Sequence, residues 1–128
     1  MDIQDATTWR VLIVDDEPDN LELVSDALLF FGATIELATN GQECLARLTD
    51  FQPSFILLDL SMPVMDGWET RSKIHGMADY ADLPIIALTA HAMVGDRQRA
   101  LAAGFNGYLT KPVDLPHLLR DLQTILEG

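Results

Sequence analysis

RVLIVDDEPDNLELVSDALLFFG, residues 10–32, is the stretch on which the reading of this chain turns. Arg10 to Asp15, with Val11 to Val14 apolar, reads as a short strand buried on both faces. Pro18 to Phe31 then carries Leu21, Val24, Leu28 and Phe31 at helical spacing, so strand is followed by helix. Gly32 is placed to close that helix, and Thr34 to Ala38 offers a second short strand. Between the first strand and its helix stands the acidic pair Asp15-Asp16, on the connection where open α/β sheets carry their chemistry.

The same grammar continues downstream. Asn40 is placed to cap a helix that runs to about Asp50 with Cys44, Leu45 and Leu48 facing inward. Ser54 to Asp59 reads as strand, Gly67 to about Gly76 as helix, Pro84 to Thr89 as strand, about Met93 to Ala103 as helix, and Asn106 to Thr110 as strand. Leu115, Leu118, Leu119, Leu122 and Ile125 lay an apolar stripe along a closing helix. Five strands alternating with five helices predict an α/β fold, a doubly wound parallel sheet joined by right-handed crossovers. Apart from Met77 to Leu83, the helix-to-strand connections are short.

Four of the apolar runs end in a reactive polar group: Asp15-Asp16, Asp59, Thr89 and, near Tyr108-Leu109, Lys111. Ligands of an open parallel sheet bind beyond the carboxyl ends of its strands, so three carboxylates, a hydroxyl and an ammonium are expected in one crevice.

At 128 residues the chain suits one domain, residues 9–128, able to bury roughly 68% of its unfolded surface. Residues 1–8 are the only candidate for a disordered tail. No apolar run approaches a membrane span and the N-terminus lacks signal-peptide features, so a cytoplasmic location is the default expectation. Cys44 is the single cysteine, which excludes an internal disulfide and reads as a packing residue. A formal charge of -12 opposes direct nucleic-acid binding.

On these residues the chain resembles the receiver domain of two-component response regulators over about residues 10–126. The resemblance rests on Asp15-Asp16, on Asp59 followed by Met62-Pro63-Val64-Met65-Asp66-Gly67, on Thr89-Ala90 and on Lys111-Pro112. Each is weak alone; four in this order are specific. The resemblance implies a flavodoxin-like sheet of order 2-1-3-4-5 and a phosphorelay role, with Asp59 taking a phosphoryl group from a phosphohistidine on a histidine kinase or histidine phosphotransfer protein. It implies Mg2+ held by Asp16 and Asp59, by Asp15 through water, and by the Ser61 carbonyl. Oxygen ligands suit that ion, and it relieves carboxylate crowding that costs about 4 kcal/mol per pair at 4 Å and a dielectric of 20. Asp59, ionised at neutral pH, needs no general base; Lys111 and Thr89 would contact the phosphoryl oxygens, and Lys111-Pro112 would be cis. Tyr108 would then rotate inward from an exposed position, altering the surface of the fourth helix, fifth strand and fifth helix for a downstream protein target.

Smaller expectations attach to single residues. Ser61 and His91, each two positions past a key residue, bear on phosphoryl lifetime. Trp68 is a candidate reporter near the pocket. His75 and His117 show no ligand-spaced partners and are not expected to be phosphodonors. The rival readings are a pseudo-receiver used only for interaction, a flavin-binding protein disfavoured by Asp15-Asp16-Glu17, and a Mg-dependent phosphatase with an Asp nucleophile. The receiver reading makes the chain a phosphoacceptor and not a turnover enzyme.

Overall fold

The structure is a computed structural model and describes residues 6–90 and 95–127. Its parallel sheet contains β1 (Arg10–Val14), β2 (Thr34–Ala38), β3 (Phe55–Asp59), β4 (Ile85–Thr89) and β5 (Gly107–Thr110) in the order β2-β1-β3-β4-β5. The helices are α1 (Pro18–Phe30), α2 (Gly41–Arg47), α3 (Gly67–His75), α4 (Asp96–Ala102) and α5 (Leu115–Glu127). The doubly wound architecture and strand order are those expected.

Period-two alternation divides the strands between two cores. Leu12, Val14, Ile56, Leu58, Ile85 and Ala87 pack with Cys44, Leu48, Ile74 and Ala100 on the α2–α3–α4 face. Val11, Ile13, Phe55, Leu57, Ile86 and Leu88 pack with Leu21, Val24, Leu28, Leu118 and Leu122 on the α1–α5 face. Cover on both faces is why these strands read as unbroken apolar runs.

Register decides what meets at the carboxyl edge. Val14 pairs with Leu58 and Asp59 with Leu88, so Asp15 leaves its strand level with Asp59, and Thr89 comes one residue later. Thr89 pairs with Thr110, which sets Lys111 just past the same edge.

Helix boundaries follow from local hydrogen bonds. Asn40 accepts from Glu43 N–H at 2.8 Å, and the Glu43 carboxylate returns to Thr39 N–H at 2.7 Å, a reciprocal cap on α2. Gly32 lies at φ +93; its N–H bonds Leu29 O at 2.9 Å and Ala33 N–H bonds Leu28 O at 3.1 Å, the Schellman closure of α1. Helix α2 stops at Arg47, short of the expected Asp50, because bonds from Thr49 N–H to Ala46 O and Asp50 N–H to Arg47 O tighten the chain and return Phe51 to the core. Strand β5 begins at Gly107 and not Asn106, whose side-chain oxygen takes the bond from Ile85 N–H at 3.0 Å. The connection Met77 to Leu83 holds a 3-10 turn, Ala78–Tyr80. Of the stretch 1–8 set apart as a tail, Ala6–Thr8 form a 3-10 turn with Ala6 buried, and residues 1–5 lie outside the described ones. The expected start of α4 at Met93 and the position of His91 also fall outside them.

Candidate functional site

Asp15 and Asp59 are both buried at the strand ends, and Asp16 beside them is exposed. One carboxylate oxygen from each lies within 4.8 Å of the other two. The strand-end reading therefore brings these three groups together, a set of hard oxygen donors spaced to surround one small divalent cation. Ser61 N–H donates to Asp59 Oδ1 at 3.0 Å, so the loop after β3 turns back over the carboxylate that precedes it.

That loop is shaped by its neighbours. Met65 N–H bonds Pro63 O at 2.8 Å, a three-residue turn with Val64 at its centre and at φ +71. Met62 and Met65 on either side are buried while Val64 projects into solvent. Asp66 then caps α3 by accepting from Glu69 N–H at 2.9 Å. Gly67 is required at the first helical position, because a Cβ there would fall against the Asp59 carbonyl oxygen and 2.7 Å from Leu60 Cα. The helix can begin directly above the strand end only without a side chain at that point.

Lys111 enters from the opposite wall, and Lys111-Pro112 is cis. Its ammonium lies 2.8 Å from Asp15 Oδ2, 2.9 Å from Glu17 Oε1 and 3.1 Å from Asp59 Oδ2. Asp15 is further held by Asn20, whose amide donates to Oδ2, and by Glu17 N–H to Oδ1 at 3.0 Å. The contacts of Glu17 and Asn20 were not foreseen. The only signal available was that both follow Asp15-Asp16 on the same loop and first helical turn.

Burial pushes the Asp59 carboxyl up to about 6; the Ser61 N–H opposes this, the Asp15 charge adds to it and Lys111 opposes it. Burial alone would lower the Lys111 ammonium, but the carboxylates of Asp15 and Glu17, and then Asp59, hold it above the ordinary lysine range. Asp59 thus remains largely ionised at neutral pH, by a narrower margin than a free carboxylate.

Thr89 is buried at the end of β4. Tyr108, expected to be exposed, instead lies inside with 7% of its surface accessible. Its hydroxyl is enclosed without a hydrogen-bond partner among the described residues, and Thr89 is one of the side chains beside it. The correction has a packing cause: Tyr108 belongs to the core cluster with Ala87 and Ala100, beneath α4. Trp68 sits edge-on to Phe105 at 5.4 Å with the Arg99 guanidinium 5.9 Å from its ring centre. His75 bridges Arg71 and Leu83 O, at 3.0 and 2.9 Å. His117, read as lacking a spaced partner, pairs with Asp114 at 2.7 Å. A cleft of about 510 Å³ between Pro53 and the turn at Asp79 to Leu83 opens at the amino ends of β3 and β4, away from the carboxylates.

Comparison with known proteins agrees with this geometry. The family described as the response regulator receiver domain matches residues 11–123. An uncharacterised 14.6 kDa protein of Leptolyngbya boryana is 43% identical over 121 residues, covering 94% of this chain and 92% of that one. The signal transduction histidine-protein kinase BarA of Escherichia coli is 38% identical over 104 residues, but the match spans 81% of this chain and only 11% of BarA. Among solved structures, the chemotaxis response regulator CheY4 of Vibrio cholerae superposes with a TM-score of 0.85 at 33% identity, covering 91% of this chain and 98% of that one. The receiver domain of sensor histidine kinase PA1611 from Pseudomonas aeruginosa, which has a magnesium ion coordinated in its active site cleft, gives 0.82 at 33% identity over 94% of this chain and 98% of its own. With its sheet order, its strand-end carboxylates and a family match over most of its length, this chain belongs to the response regulator receiver domains of two-component signalling.

Proposed function

We propose that this receiver accepts a phosphoryl group on Asp59 from a phosphohistidine of a histidine kinase or histidine phosphotransfer protein, with Mg2+ as its cofactor. The observation that carries the reading is a buried carboxylate, Asp59, held between two further carboxylates and one ammonium. The donor set fits the ion: Asp16 and Asp59 would hold it directly, Asp15 through water, and Ser61 through its carbonyl. When bound, Mg2+ neutralises charge on the transferring group.

The remaining work falls to side chains. An Asp59 oxygen attacks phosphorus in line; the new P–O bond forms as the P–N bond to the donor imidazole breaks, and the imidazole leaves with that electron pair. No proton has to be removed from the nucleophile, so no histidine is needed in the pocket. Lys111 supplies a positive charge to a phosphoryl oxygen and Thr89 a hydroxyl hydrogen bond to another. Thr89 also borders Tyr108, so a movement of one alters the space of the other, next to a groove of about 380 Å³ lined by Arg97, Tyr108, Thr110, Asp121 and Ile125. That groove on α4, β5 and α5 is the surface through which a phosphorylation-biased equilibrium would reach a downstream protein target. The chain assists its own phosphorylation and dephosphorylation and turns over no separate substrate. Its charge of -12 disfavours a nucleic-acid partner, and no helix of the described residues is long and apolar enough to cross a membrane.

The test is intact mass after incubation with acetyl phosphate, with and without Mg2+, on wild type and Asp59→Asn. One Mg2+-dependent, base-labile phosphate, absent from Asp59→Asn, is expected. Full labelling of the variant at another carboxylate would overturn the assignment.

A further inference from the structure

The Lys111 ammonium has three N–H donors, and three carboxylates satisfy them. To serve a phosphoryl oxygen it must release one. Asp15 is a poor choice, since its side chain is fully buried, out of reach of bulk water, and is fixed in place by Asn20 and the Glu17 N–H. Asp59 is the acceptor and stays in place. Glu17 differs from both: its side chain is 62% exposed, against 0% for Asp15 and 3% for Asp59, so water can take over its solvation when Lys111 leaves.

The local backbone points the same way. Glu17 occupies the N-cap of α1, a position where a short polar side chain ordinarily bonds the first turn, yet its side chain makes no capping bond. It reaches across the pocket mouth to Lys111, 94 residues on in sequence.

We propose that Glu17 is a positioning residue for phosphoryl transfer, a displaceable latch that holds the Lys111 ammonium at the pocket mouth and yields it to the incoming phosphoryl oxygen. The proposal rests on Asp59 being the phosphoacceptor. Two variants separate contact from charge: Glu17→Gln removes the carboxylate, whereas Glu17→Asp keeps the charge on a side chain one methylene too short to hold Lys111. Both sit at an exposed position and remove no capping bond, so both are expected to fold.

Lys73 and Lys111 are the only lysines, and Lys73 is exposed on α3, which makes it an internal reference. Amine acylation read by peptide mass spectrometry, without phosphodonor, reports how freely Lys111 leaves its carboxylates. Relative to Lys73, Lys111 labelling should rise about two- to fivefold in both variants, the range for an ion pair with one exposed partner. The initial rate of acetyl phosphate labelling at saturating Mg2+ should rise by a similar factor in both. Wild-type behaviour of Glu17→Asp alongside a fast Glu17→Gln would assign the effect to charge near the donor and sink the latch; so would no change in either variant. If wild type takes no phosphate on Asp59, the phosphoacceptor reading fails by itself, and the acylation ratio still decides whether Glu17 restrains Lys111.

Discussion

At the scale of single residues, the pocket is built from groups held where they are locally unfavourable. Val64 is β-branched and adopts φ +71, a region where L side chains are strained and where glycine is at ease. Buried Met62 and Met65 pin the turn on both sides, so the strain cannot relax. Val64→Gly should raise unfolding stability by about 0.5–1 kcal/mol, read as a shift of the urea midpoint at constant slope. Asp59 carries a second local cost. Its folded-state value of about 6 lies above that of a free carboxylate, near 4, so the folded chain binds this proton more tightly than the unfolded chain. The group's favourable contribution is therefore complete below about pH 4 and is lost as pH rises through about 6. In chelator-containing buffer, Asp59→Asn should match wild type near pH 4 and exceed it at pH 7.5; equal denaturation midpoints at both pH values would contradict the assignment of the cost to this carboxylate.

At the scale of elements, the strands and the residues that follow them were legible because burial on both faces leaves a continuous apolar run that stops where the sheet stops. Asp15, Asp59, Thr89 and Lys111 could be read from that rule. Glu17 could not, since its partner lies 94 positions away and nothing local distinguishes a latch from an acidic helix start. Tyr108 was expected to be exposed only because the resemblance implied it, and nothing in the residues around it in sequence shows that it packs with Ala87 and Ala100 in the core. Helix ends were legible where one side chain caps them, as with Asn40, and less so where α2 unwinds over several backbone bonds to deliver Phe51. Asn40→Ala should cost about 1 kcal/mol, because it leaves an N–H of the first turn without its side-chain acceptor, and Asn40→Asp should recover most of the loss in the same denaturation assay.

At the scale of the whole molecule, one domain carries an excess of acid and concentrates part of it where an ion can use it. A ligand that binds only the folded chain raises its stability by mass action. Added Mg2+ should therefore raise the melting temperature of wild type at pH 7.5, and raise it less in Asp59→Asn, which keeps two of the three carboxylates; an identical rise in both would place the ion elsewhere. The pairing of Val14 with Leu58 has a consequence for folding as well. A slip of β1 against β3 by a single position would interchange the side chains meant for the two cores and, in the same movement, draw Asp15 out of line with Asp59. Such a mispaired chain would have no coordination pocket, so Mg2+ would discriminate between correctly and incorrectly threaded sheets, and the signalling chemistry would double as an inspection of strand alignment.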